Sequence, residues 1–251
     1  MTPTRTKAPQ SLSQLLFTQG FGTRRDCAGL VVSGRVAVGG RVMDDPAQPL
    51  DPEGLVLQVD GIDWPWRDKA LVLLHKPAGY ECSQKPRHHP SVLSLLPPAL
   101  RTRGLQPVGR LDEDTTGLLL LTDDGSLIHR LTSPKHHVPK VYEVVTKHAV
   151  DSAQIDRLLA GVVLDDDPTP VRAAACVQTA EHALQLTLTE GKYHQVKRMV
   201  AAAGNRVEAL HRSRFGALVI PPGLAAGRWC WVSEEDAAAL VARPKAAVSA
   251  V

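Results

Sequence analysis

Apolar positions along the chain change their period several times, and each change marks an element. From Ser11 the spacing of Leu12, Leu15 and Leu16 predicts a short helix, Gly20 and Gly22 break it, and a second helix starts from Thr23. The alternation Arg35, Val36, Ala37, Val38, closed by Gly39 and Gly40, predicts a β-hairpin, with a last strand near residues 55–59. These elements form a unit over residues 11–62, roughly fifty residues, a size at which a domain is marginal alone. Residues 63–69, with Trp64, Pro65 and Trp66, read as a linker to a second domain over residues 70–242. Strand-like runs at 70–74, 117–121, 141–146, 183–188, 206–210 and 228–232 interleave there with helix-like runs at 127–131, 151–159, 193–203 and 234–241. Tyr142, Val144 and Thr146 alternate with Val141, Glu143 and Val145, as in a sheet with one face exposed. The fold class is therefore α+β: a small N-terminal α/β module plus a mixed, mainly antiparallel sheet flanked by helices. Residues 1–10 and 243–251 read as flexible tails.

Composition narrows the classes. With 43% hydrophobic and 22% charged residues, the chain has a globular composition and not a disordered or collagen-like one. A net charge of +3 is too small to name nucleic acid as a partner, so distribution must carry that argument. Residues 5–49 hold six Lys or Arg against three Asp, and residues 191–216 hold six against the single Glu208. These are two candidate phosphate-facing stretches, although either alone is equally an ordinary solvated face. Cys27, Cys82, Cys176 and Cys230 are far apart, which suggests neither a zinc site nor a disulfide framework and fits a reducing cytosol. No signal peptide and no apolar run of about eighteen residues is present, so a cytoplasmic protein without a membrane span is expected.

The candidate chemistry centres on Gly109-Arg110-Leu111-Asp112-Glu113-Asp114-Thr115-Thr116-Gly117, a polar loop between a strand end near Val108 and four consecutive leucines. Loops held between rigid strands often carry function. Composition alone leaves a solvated turn as the equal alternative. His88-His89 and His136-His137 invite a metal, but adjacent side chains diverge on regular elements and no third ligand is spaced nearby, so no metal is expected. Asp165, Asp166 and Asp167 read as a solvated loop.

Gly-Arg-Leu-Asp before an apolar strand closely resembles the signature of the pseudouridine synthase family. The likeness continues in order through Lys76-Pro77-Ala78-Gly79, Lys140-Val141-Tyr142, residues Gly191 to Met199 and Ala209-Leu210-His211-Arg212. It covers residues 71–238. The spelling of the 112–117 loop, with Ser133-Pro134-Lys135-His136-His137, is closest to the subfamily that modifies small-subunit ribosomal RNA. The N-terminal unit is similar to a small RNA-binding module first described in a ribosomal protein, but it opens Ser11-Leu12-Ser13-Gln14 where that module usually has Arg-Leu-Asp-Lys.

The resemblance implies isomerisation of uridine to pseudouridine in 16S ribosomal RNA, without a cofactor, by a monomer. The alternatives are a large-subunit enzyme or a non-catalytic RNA-binding protein. It makes Asp112 the catalytic nucleophile and Lys197 the cation that keeps it ionised. Tyr142 would stack on the uracil and help remove the C5 proton, Leu210 would pack against the base, and Arg110 would hold the flipped nucleotide or fill its gap. A carboxylate can attack C1′ or C6 or take the C2′ proton, and the sequence does not choose among these. On a helix over 193–203, His194, Lys197 and Arg198 would share a basic face while Val196, Met199, Val200 and Ala203 face the core. RNA contacts are expected from Arg24, Arg25, Arg35 and Arg41 in the module, and from His194, Gln195, Arg198 and Arg212 in the second domain.

Overall fold

The computed structural model describes residues 8–242, so residues 1–7 and 243–251, most of the first expected tail and all of the second, lie outside the described residues. The chain forms two compact units, one comprising residues up to Ala70 together with Leu96–Leu105, the other Leu71–Leu95 and the chain from Gln106 onward.

In the first unit, β1 (Gln10–Ser11) leads into α1 (Leu12–Thr18), and α2 (Arg24–Val32) follows the glycine break. Ser11 caps α1 by accepting from the Gln14 amide, and Leu12, Leu15 and Leu16 are buried as their spacing requires. Thr23 and Asp26 form a reciprocal capping box on α2. Next come β2 (Val36–Val38), β3 (Arg41–Val42), β4 (Pro49–Leu50), β5 (Val56–Val59) and β6 (Ile62–Pro65), with four of these strands in the sheet order β3-β2-β5-β6. Gly39 and Gly40 turn the β2–β3 hairpin with φ of 57° and 79°, the left-handed pair that such a turn needs. β1 pairs with β4, so the chain at Gln10 is already paired.

Two expectations are corrected here. The segment taken as a linker begins as β6, because Trp64 is buried edge-on to Phe21, their ring centroids 4.9 Å apart. Residues 96–105, expected within the second domain, belong to the first unit with α3 (Pro98–Thr102). The reason is a buried amide: Gln19 Oε1 accepts from Arg103 Nη1 at 2.8 Å, and Gln19 Nε2 donates to the Arg67 carbonyl at 3.0 Å. A buried amide needs such partners, and residues 67 and 103 supply them.

The second unit contains β7 (Leu71–Lys76), β8 (Gln106–Val108), β9 (Thr116–Thr122), α4 (Gly125–Thr132), β10 (Lys140–Thr146), α5 (Ser152–Ala160), β11 (Val162–Leu164), β12 (Asp167–Val171), β13 (Ala175–Ala180), β14 (Ala183–Leu188), α6 (Gln195–Ala202), β15 (Val207–Phe215), β16 (Leu218–Val219), β17 (Trp229–Trp231) and α7 (Glu234–Val241). A nine-stranded sheet runs in the order β13-β14-β10-β15-β9-β7-β17, with β16 on β15 and β8 on β9. Its pairs are antiparallel except β9 with β15, which gives the mixed, mainly antiparallel sheet expected. Leu118 to Leu121 of β9 are all buried, which is why that strand is continuously apolar and β10 alternates. Leu131 of α4 and Leu240 of α7 pack with Leu71, Leu73, Leu118 and Leu120 in the core.

The β9–β15 seam depends on Gly117. Its φ is +111°, and a Cβ there would lie 2.3 Å from the Arg212 carbonyl oxygen and 2.7 Å from the Arg212 nitrogen. Only glycine lets the two strands meet where the candidate loop enters the sheet. The three consecutive aspartates are also not a simple loop, since Asp167 starts β12.

Candidate active site

The loop between β8 and β9 is tied down from below. Lys76, buried at the end of β7, donates from Nζ to the carbonyls of Thr115 (2.7 Å), Glu113 (3.0 Å) and Pro77 (3.1 Å). Burial lowers its pKa, and nearby acidic groups oppose that shift. The Glu113 carbonyl also accepts from the Gly79 amide at 2.8 Å, and the Leu111 amide faces Cys82 Sγ at 3.5 Å. These bonds fix the backbone on both sides of Asp112.

Asp112 is left partly open, its side chain 22% exposed, at the wall of a cleft of about 980 Å³. Its Oδ2 lies 3.4 Å from Lys197 Nζ and its Oδ1 3.2 Å from His194 Nε2. Lys197 therefore reaches Asp112, but its closer partner is Asp114, both of whose oxygens lie 2.7 Å away. Burial favours the neutral amine of Lys197, yet the Asp114 and Asp112 carboxylates outweigh it and raise the pKa. Asp114, also pushed upward by burial, is held below its ordinary value by Lys197.

Tyr142 and Leu210 are buried in β10 and β15 and line the same cleft, as do Arg110, His194 and Arg212. The structure thus brings Asp112, Lys197, Tyr142, Leu210 and Arg110 into one neighbourhood, with Arg110 exposed at the rim. Tyr142 and Arg212 face each other directly across the β10–β15 ladder.

With this geometry in place, residues 70–202 match the family model described as RNA pseudouridylate synthase. The chain belongs to that family. Residues 10–56 match the S4 domain model, so the pseudouridine synthase carries an N-terminal S4 domain. The chain is 38% identical over 226 residues to the ribosomal small subunit pseudouridine synthase A of Escherichia coli (strain K12), covering 90% of this chain and 97% of the other. It is 37% identical to an uncharacterized RNA pseudouridine synthase of Bacillus subtilis (strain 168), covering 90% and 95%. It is also similar to a solved crystal structure of a pseudouridylate synthase, at 31% identity and a TM-score of 0.66, covering 92% of this chain and 100% of that one.

Several expected RNA contacts of this synthase are placed differently. The third-motif helix starts at Gln195 and not at residue 193, because His194 adopts a left-handed conformation (φ 47°) as the helix cap. His194 therefore does not share a helical face with Lys197; it stacks on Tyr193 at 3.8 Å and approaches Asp112 from the preceding turn. Gln195 is buried at the cleft wall, accepting from the Lys192 amide at 2.7 Å and donating to Glu190 at 2.8 Å, bonds that shape that turn. Arg198 is ion-paired with Asp166, and Arg35 with Asp60 at 2.6 Å. Arg24, Arg25 and Arg41 are exposed. Val196, Met199, Val200 and Ala203 are buried as their spacing implied.

The sequence reading also left three groups without a role: Lys76 as the loop anchor, Asp114 as the second partner of Lys197, and the buried ammonium of Lys140. All three lie in quoted motifs, but burial is what distinguishes Lys76 and Lys140, and contact with Lys197 is what distinguishes Asp114. His88 and His89 line the cleft with backbone amides that donate, as does that of Arg87, to Glu81, and these three bonds hold the Glu81 carboxylate down at about 2. Among the described residues no three His, Cys, Asp or Glu side chains are grouped to hold a metal ion, and no helix is long and apolar enough to cross a membrane.

Proposed function

We propose that this chain isomerises a uridine of small-subunit ribosomal RNA to pseudouridine in the cytoplasm, with Asp112 as the nucleophile and no cofactor. The observation that carries the proposal is the Asp112 carboxylate, backbone-anchored and partly open, with Lys197 at 3.4 Å and the Tyr142 ring in the same cleft. The rearrangement breaks the N1–C1′ bond and makes a C5–C1′ bond with no net redox change, so the steps reduce to holding the nucleotide, stabilising charge and moving protons. Lys197 places a cation beside the Asp112 carboxylate, Tyr142 stacks on the base and assists loss of the C5 proton, and Leu210 limits its travel. Arg110, exposed at the rim, steadies the splayed nucleotide. The names of the small-subunit relatives support the choice of substrate. Tritium release from [5-³H]uridine-labelled transcripts tests it. Release from small-subunit RNA, free or partly assembled, is expected, and release from large-subunit RNA alone would move the assignment to the other subunit.

The S4 domain positions the substrate through Arg24, Arg25 and Arg41, which are exposed, while Arg35 is shared with Asp60. Phosphate contacts set register and the cleft selects the base. Replacing Arg24 and Arg25 with Ala is expected to raise the RNA concentration for half-maximal rate and leave turnover at saturation little changed. The salt dependence of binding should flatten by roughly 0.7 to 0.9 per lost contact. An unchanged salt slope would remove these arginines from the RNA interface.

A further inference from the structure

Two cations sit at the floor of the Asp112 cleft, both lining it and both almost fully buried: Lys140 is 5% exposed and Arg212 1%. Lys140 Nζ donates to the Val138 carbonyl at 3.0 Å, and Arg212 Nε to the Leu118 carbonyl at 2.9 Å. Arg212 Nη2 is buried with no hydrogen-bond partner, and among the described residues neither cation has a carboxylate at ion-pair distance. Such an arrangement is costly. A buried charge is ordinarily paired, and a buried donor left unbonded forfeits its hydration. Arg212 and Tyr142 are direct cross-strand neighbours, and Lys140 lies two residues before Tyr142 on the same buried set of β10 positions. Both cations lie over the Phe215 ring, at 5.4 and 5.3 Å, and Glu190 acts on Lys140 from beyond ion-pair distance, yet positive charge without an ion pair is left beside the ring expected to hold the uracil.

We propose that Lys140 and Arg212 form an anion subsite for the uracil ring itself, stabilising the negative charge that the base carries between bond breaking and bond making. This rests on the proposed activity, and it holds for each way Asp112 can start the reaction. If the carboxylate takes C1′, or removes the C2′ proton, the N1–C1′ electron pair stays on the base and spreads over N1, O2 and O4. If it adds to C6, the pair displaced from the C5–C6 bond becomes an enolate on O4. Rejoining forms the C1′–C5 bond as the Asp112 oxygen leaves C1′ or returns the C2′ proton, or, on the C6 route, leaves C6 with its electron pair as C5 is deprotonated; C5 loses its proton, N1 gains one, and the base is neutral again. The charge is transient, so donors fixed in a dry floor act where charge develops and do little for the neutral uridine.

The subsite predicts a defect in rate and not in binding. Lys140→Met, nearly isosteric and uncharged, is expected to lower the single-turnover rate at saturating small-subunit RNA by about 100-fold, as losing one preorganised donor does. The half-saturating RNA concentration should stay within about threefold, because uniform binding is untouched. Its melting temperature should equal or exceed wild type, since the buried ammonium, whose pKa is pushed down to about 8 by burial and by Arg212, is a cost to the fold. Lys140→Arg, which restores the charge, should recover most of the rate. A Met variant as fast as wild type, a loss confined to RNA affinity, or Met and Arg variants equally slow would each overturn the subsite. Wild-type protein inactive on every RNA would instead overturn the proposed activity on which it rests.

Discussion

Asp112→Asn is expected to abolish isomerisation while leaving the fold and RNA binding intact. The amide keeps the shape of the carboxylate and removes the charge that would attack the ribose or base or accept its proton. Neighbours tolerate the change, because Lys197 keeps both oxygens of Asp114 at 2.7 Å and His194 can still meet the amide oxygen. The loop itself is held by Lys76 and the Gly79 amide, not by the Asp112 side chain. Turnover should fall by roughly 10⁴-fold or more, the scale for losing a nucleophile, with stability within about 1 kcal/mol of wild type. Tritium release at saturating RNA measures the first, thermal unfolding the second and filter binding the third. Substantial residual turnover would remove Asp112 from the chemistry.

Gly117→Ala should be the most damaging single-methyl change in the catalytic unit. The new Cβ would fall within 2.9 Å of three Arg212 backbone atoms, and none of them is the free end of a flexible side chain. The glycine φ of +111° adds strain that alanine rarely adopts. Relief requires β9 and β15 to part, and their short parallel pairing at His211↔Thr116 and Arg212↔Gly117 is what sets the Asp112 loop beside Leu210 and Arg212. The expected cost is on the order of 4 kcal/mol, or roughly 10 °C in melting temperature. Activity should fall even below the transition, because the floor and the nucleophile are displaced together. Calorimetry on the purified variant checks the first, and a variant melting within about 2 °C of wild type would show that the seam relaxes cheaply.

What the sequence made legible followed from local chemistry. The four leucines between Gly117 and Thr122 read as a strand and the Gly-bracketed acids before them as its entry loop; that the strand is covered on both faces came only with the sheet. The capped helices α1 and α2 and the Gly39-Gly40 turn were equally readable, since cap and turn residues act within a few positions. Features built across long separations were not. Gln19 and Arg103 are 84 residues apart, so nothing near either one announces that residues 96–105 join the first unit. Trp64 looked like part of a linker because its partner, Phe21, lies before α2, with five elements between them. His194 seemed to continue a helix because an apolar repeat does not reveal a left-handed cap. Lys140 and Arg212 were legible as basic residues, but only burial separates a floor cation from a phosphate contact.

The central claim, conversion of a small-subunit ribosomal uridine by Asp112, is tested most directly by mapping pseudouridines in ribosomal RNA from cells that lack this protein, carry it, or carry Asp112→Asn. The account predicts a small-subunit position that is pseudouridine with the wild-type protein and uridine in the other two. A small-subunit map identical in all three, or a difference only in large-subunit RNA, would contradict it.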